Sequence, residues 1–164
     1  MKKKVNFTVK AALIGASYAL ATYLCSLFSI SFGPLQLRLS EALTALCALT
    51  GAAIPGLTIG CIIANFASPY GLYDIIFGSL ATLLAGIAAY KLRNIKFKGL
   101  PLLSFFMPVI FNALIVGAQI YFFFSNTTAG AGAFFVTFAQ LFISEGLVCF
   151  LGGIPLYKAL NGKI

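Results

Sequence analysis

The chain has 164 residues, 61% of them hydrophobic and 9% charged, with a mean hydropathy of +1.03; this excludes a soluble domain and describes an integral membrane protein with room for about six spans at ~20 residues each. The net charge of +8 gathers at span ends, as the positive-inside rule distributes it, which points to a bilayer rather than to nucleic acid. Histidine is absent, which removes His-based metal sites and Ser-His or Cys-His catalysis.

MKKK before an apolar run has the outline of a signal peptide, but no A-x-A-type site follows at a suitable distance, and the run reads as a first helix. That helix is expected over about 8–30. Ala11, Gly15, Ala19, Thr22 and Ser26 line one face, and Ala12 with Ala16 offers an overlapping register. Small faces let helices approach closely in lipid, so Ala12, Gly15 and Ala16 are the candidate interface for a partner helix; packing within the molecule is the competing reading. SISFGPLQL turns the chain back, since Pro34 cannot continue a helix.

A second helix is expected over 38–50, with Arg38 and Glu41 at i,i+3 able to share a face and partly neutralise each other. The alternative is an interfacial ion pair of no function. A third helix, 55–67, starts on Pro55 and carries Thr58, Cys61 and Asn65 on one face, with Gly56 and Gly60 as a packing edge. Asn65 belongs either to a site or to a neighbouring backbone. The turn Ser68-Pro69-Tyr70-Gly71 leads to a fourth helix, 73–91, with Asp74 in its first turn. Capping is one role for Asp74. Against it, Asp74, Gly78, Thr82 and Gly86 make an i,i+4 strip that places the acid on the packed side.

The basic linker KLRNIKFKG precedes a fifth helix, 101–124, on which Asn112 and Gln119 share a face one turn beyond Pro108. SNTTAGAG is expected as an outer loop, and its Asn126-Thr127-Thr128 sequon carries little weight. The sixth helix, 133–160, has a polar strip of Thr137, Gln140 and Ser144, with Glu145 beside it near mid-membrane. Its inner end is loosened by Gly152-Gly153 and Pro155. The cysteines, Cys25, Cys47, Cys61 and Cys149, all lie in apolar spans without a CxxC pair and read as buried free thiols.

Six spans with both termini cytoplasmic put every basic residue except Arg38, ten of the eleven, on the inner side. Charges in lipid normally face a cavity or a partner. The expected architecture is therefore all-α, one transmembrane domain over 1–164. An outward-facing small-molecule pocket is expected to be built from Arg38, Glu41, Asn65, Tyr70, Asp74, Asn112, Gln140 and Glu145. Phe66, Tyr70 or Tyr73 would stack on a ring. No catalytic or metal-ligating set and no cofactor are expected.

LRLSEALTAL, IPGLTIGCIIAN, YGLYDIIFGSLATLLA, PVIFNALIVG and a late SEGLV…GGIPLYKAL resemble the queuosine-precursor transporter family (QueT-type). These are substrate-binding S components of energy-coupling factor (ECF) transporters. The likeness covers most of the chain from Arg38 onward. It implies a six-helix S-component bundle in the plasma membrane with both termini inside, a membrane coupling subunit and two cytoplasmic ATPases as partners, and a 7-deazaguanine-type precursor as substrate. By that likeness Arg38, Glu41, Asn65, Asp74, Asn112 and Glu145 are the positions to watch. The chain carries no P-loop and no soluble domain, so it is not expected to hydrolyse ATP itself, and it is small and without the internal repeat of a self-sufficient transporter. The competing functions are an S component for another small cationic or heterocyclic vitamin-like nutrient, a membrane-embedded enzyme using Glu41, Asp74 or Glu145 as acid or base, and a cation channel. Three acids face Arg38 alone, so the unpaired carboxylates need donors, a cation, or a proton each.

Overall fold

The computed structural model describes residues 6–124 and 131–163; the Lys2–Lys4 cluster and the Asn126-Thr128 sequon lie outside the described residues. Among the described residues the chain is helical apart from turns and one isolated bridge between Phe97 and Leu100. Helix α1 is Phe7–Ser26, four residues shorter at its end than expected, because Ser29 takes φ 57° and turns the chain back. The returning segment is tied down by the Leu37 N–H on the Ile30 carbonyl (2.8 Å) and the Ser31 hydroxyl on the Thr22 carbonyl (3.0 Å).

The next element, Leu39–Ala48, is a 3₁₀ helix along its ten residues. Runs longer than three or four residues are uncommon, since the hydrogen bonds are poorer than in an α-helix. Two gains offset that cost. At ~2.0 Å per residue it reaches about 20 Å, against about 15 Å for an α-helix of equal length. Side chains three apart also eclipse, so Glu41, Thr44 and Cys47 line one edge, all buried.

Helix α2 is Ala53–Asn65, and it packs parallel to α1 through a seam of glycines. A Cβ on Gly56 would stand 2.6 Å from the Ala11 carbonyl oxygen, and one on Gly60 the same distance from that of Gly15. One on Gly15 would meet the Gly56 carbonyl oxygen at 2.8 Å. Backbone therefore touches backbone along the seam, the close approach that small residues permit in lipid. Farther along, the Tyr23 hydroxyl donates to the Ile63 carbonyl at 2.6 Å.

The two following stretches, expected as unbroken helices, each contain a π turn. Asp74–Gly78 is a π turn that leads into α3, Ser79–Leu92. Helix α4, Leu102–Phe111, contains Pro108, passes through a second π turn at Asn112–Val116 and continues as α5, Gly117–Phe124. Pro108 removes one hydrogen-bond donor from the ladder, and the helix relaxes within the next turn. Helix α6, Ala131–Leu151, is offset at Gly152 from α7, Gly153–Leu160. A Cβ on Gly152 would stand 2.7 Å from that of Ala42, so the glycine lets this helix lie against the 3₁₀ element.

Four helical stretches are long and apolar enough to cross a membrane: Phe7–Ser26, Asp74–Leu92, Leu102–Phe124 and Gly132–Leu160; Leu39–Ala48 and Ala53–Asn65 are shorter apolar helices. Many large apolar side chains face outward, Leu27 and Leu151 more than 70% exposed, as a lipid-facing bundle requires. At one end Lys10 shares a groove with Leu46 and Leu160, Gly51 abuts Tyr90, and Phe105 packs on Tyr157. The starts of α1 and α4 and the ends of α3 and α7 therefore meet there, with every described basic residue except Arg38 close by. Arg93 closes the end of α3, donating to the Tyr90 carbonyl (2.7 Å) with its guanidinium 3.6 Å from that ring's centre.

Candidate substrate-binding site

The polar side chains collect toward the other end and the middle of the bundle, in two layers. In the outer layer Arg38 donates from Nε to the Ser31 carbonyl (2.7 Å) and from Nη2 to Asn65 Oδ1 (2.8 Å), its guanidinium 4.7 Å from the Phe32 ring centre. Asn65 Nδ2 in turn donates to the Asp74 carbonyl at 2.7 Å. The π turn presents that carbonyl, and Gly78 leaves the space, since a Cβ there would lie 2.8 Å from Asn65 Nδ2. The Asp74 carboxylate accepts the Ser68 hydroxyl on Oδ2 and Gln119 Nε2 on Oδ1, both at 2.5 Å. The Arg38 segment, α2, the Asp74 π turn and α5 are thus laced together by one asparagine and one aspartate.

The inner layer centres on Glu41. The Tyr18 hydroxyl of α1 donates to Glu41 Oε1, and the Thr44 hydroxyl bonds the Glu41 carbonyl at 2.6 Å. Glu145, from α6, faces the same space, and the Asn112 side chain, on the second π turn, neighbours both carboxylates. Among the described residues three buried side-chain atoms have no hydrogen-bond partner: Glu41 Oε2, Gln119 Oε1 and Glu145 Oε2. Their residues are 1 to 2% exposed. All three atoms are acceptors, and they come from three different helices. An unpaired buried polar group costs about 1–3 kcal/mol and a charged one more, so a ligand offering N–H donors is the complement of this arrangement.

Arg38, Asn65 and Asp74 thus come together in the outer layer, and Glu41, Asn112 and Glu145 in the inner one. The expected Arg38–Glu41 pairing does not form among the described residues. Arg38 sits before the 3₁₀ helix with extended dihedrals (φ −79°, ψ 101°), which takes its side chain off the Glu41 line toward Asn65. Asp74 makes no capping bond. Tyr70 is half-buried over the outer layer, edge-on to Phe124 at 4.5 Å, while Tyr73 rests on Phe123 at 4.5 Å. Phe66 is 72% exposed and points away from both layers. Gln140 is half-buried, one turn outward of Ser144, and makes no hydrogen bond among the described residues.

Two participants carried signals in the sequence that the candidate site left out. Gln119 shares a face with Asn112, and Tyr18 is a fully buried tyrosine whose hydroxyl needs an acceptor. On the lipid side, Gly15 packs against Gly56 and Gly60 in the α1–α2 seam and also borders the groove that Ala12 and Ala16 line. Ala12 and Ala16 remain exposed and line an apolar groove of about 370 Å³ with Gly56 and Ile59.

A family model described as "QueT transporter" matches residues 8–162. A curated protein of Lactococcus lactis subsp. cremoris (strain MG1363), "Queuosine precursor transporter QueT", is 39% identical over 83 residues, 51% of this chain and 48% of that protein. The match thus spans about half of the relative's length. No solved structure matches the chain.

Proposed function

Because the chain belongs to the QueT transporter family, a family of transporters and not of enzymes, and is a multi-pass protein of the plasma membrane, we propose that it captures a queuosine precursor of the 7-deazaguanine type from outside the cell. The observation that carries this reading is the set of three buried, unpartnered acceptors, Glu41 Oε2, Gln119 Oε1 and Glu145 Oε2. A guanine-type edge offers N1–H and a 2-amino group as parallel donors, and hydrogen bonds from such donors to carboxylates are of the stronger, charge-assisted sort. Arg38, Asn65 and Asp74 serve as a rigid wall, since most of their polar atoms are already bonded to one another or to backbone. Tyr70 and Tyr73 cover the outer opening, and Asn112 and Gln140 supply further polar contacts.

In this reading the chain is the S component of an ECF transporter. It makes six passes with both termini cytoplasmic and relies on a membrane coupling subunit and two ATPases for energy. The gathering of basic residues at one end supports the orientation. The exposed Ala12–Ala16 groove supports a helix of the coupling subunit as its occupant. Native mass spectrometry of the protein purified without added ligand tests the substrate. A co-purifying 7-deazaguanine at one per chain is the expected result; a different nutrient in that stoichiometry would replace this assignment.

A further inference from the structure

Of the three bare acceptors, Gln119 Oε1 is the one whose orientation is fixed by a neighbour. A carboxylate only accepts, so the Gln119 amide can face Asp74 with its Nε2 and not with its oxygen. Asp74 cannot swing aside to relax this, since its Oδ2 holds the Ser68 hydroxyl and its carbonyl holds Asn65 Nδ2. Oε1 is therefore turned away from Asp74 and kept there as an acceptor. Its side chain is 2% exposed, and no donor reaches the oxygen among the described residues. Bracing Asp74 needs only the N–H, so that role leaves the oxygen unused. A buried acceptor without a donor is destabilising, and a donor from a bound molecule removes that cost.

We infer that Gln119 is a specificity-determining residue that accepts the N–H of the ligand's five-membered ring, with Asp74 as the positioning residue that keeps its oxygen presented. This rests on the capture reading above, in which the guanine edge meets the inner layer. Gln119 lies seven residues beyond Asn112, roughly 10 Å along the helix, at the level of Asp74. In a 7-deazaguanine the five-membered-ring N–H stands across the bicycle from N1–H. The bicycle with a hydrogen bond at each end covers about 11 Å, so one flat base reaches both layers. That N–H exists only in the free base; in a nucleoside the sugar replaces its hydrogen. One locked amide therefore makes the site admit the nucleobase and refuse the nucleoside, whose sugar would meet the Gln119 oxygen instead.

The test is titration calorimetry on the full chain in detergent micelles with three probes. These are 7-deazaguanine, its furan counterpart, in which an oxygen replaces the five-membered-ring N–H at nearly the same shape, and 7-deazaguanosine. The parent protein is expected to bind 7-deazaguanine about tenfold or more tightly than the furan counterpart, and 7-deazaguanosine more weakly still. Gln119→Met keeps the volume and removes the acceptor. It should weaken 7-deazaguanine about tenfold while binding the furan counterpart no less tightly, so the ratio collapses. Asp74→Asn lets the Gln119 amide turn over and should lower the same ratio, which a residue serving stability alone would not do. Retained binding of the furan counterpart shows that a variant is folded. Equal binding of the two flat bases by the parent, 7-deazaguanosine bound as tightly as the base, or a ratio that survives in either variant overturns the assignment while leaving base capture intact. Where Gln119→Met binds neither base, the ratio in Asp74→Asn decides alone, and binding of neither base by both variants overturns the assignment. A parent protein that binds none of the three probes overturns the capture reading itself, and this inference with it.

Discussion

Asp74 and Glu145 are acids in equally apolar surroundings, but their oxygens are treated differently. Both oxygens of Asp74 already hold donors from Ser68 and Gln119, whereas Glu145 Oε2 holds none. Asp74→Asn should therefore act on stability, because the new amide presents N–H groups to donors and breaks one bond of the lacing. A loss of about 1–3 kcal/mol is expected, measured as an earlier thermal unfolding transition of the ligand-free protein in micelles. Glu145→Gln should move the same transition upward, since it removes a buried charge that the empty site leaves uncompensated. A downward shift of similar size for both variants would mean that Glu145 is a structural acid like Asp74. The sequence made both carboxylates visible, since charge among apolar residues stands out. Their partners were harder to read: Gln119 reaches Asp74 only through the register left by two π turns, and no local spacing encodes that.

Among the elements, position was legible and helix type was not. Apolar residues cover nearly every side of these helices, so hydrophobic periodicity, the usual guide to helix geometry, carries little information. The 3₁₀ character of Leu39–Ala48 comes from tertiary demands, the alignment of Glu41, Thr44 and Cys47 and the length the element must reach. The α1–α2 seam was half legible. Gly56 and Gly60 announced a packing edge, but the choice between Gly15 and the Ala12–Ala16 register depended on which face α2 occupied. Paired substitutions separate the two faces. Gly60→Ala should cost about 1–3 kcal/mol of stability by forcing α1 off the Gly15 carbonyl. Ala12→Leu with Ala16→Leu should leave ligand binding and unfolding unchanged while abolishing uptake and co-purification with the proposed coupling subunit. Intact assembly in the double variant would move the proposed interface elsewhere.

For the molecule as a whole, charge segregation was the most informative signal, and it is also what fixes the predicted orientation. On a cysteine-free background, Lys96→Cys in the exposed α3–α4 linker should resist a membrane-impermeant maleimide in intact cells, while Pro69→Cys in the exposed turn after α2 should react. The opposite pattern would invert the pocket.

The parallel glycine seam bears on how the protein is made. Helices α1 and α2 are not consecutive, since the 3₁₀ element lies between them, and yet their backbones meet along a seam of glycines. A nascent chain leaving the insertion machinery cannot zip this contact with its first hairpin. Helix α1 must wait, its small-residue face against lipid, until α2 arrives beside it. A lesion in the seam is therefore expected to act on assembly of the bundle, before any substrate is bound.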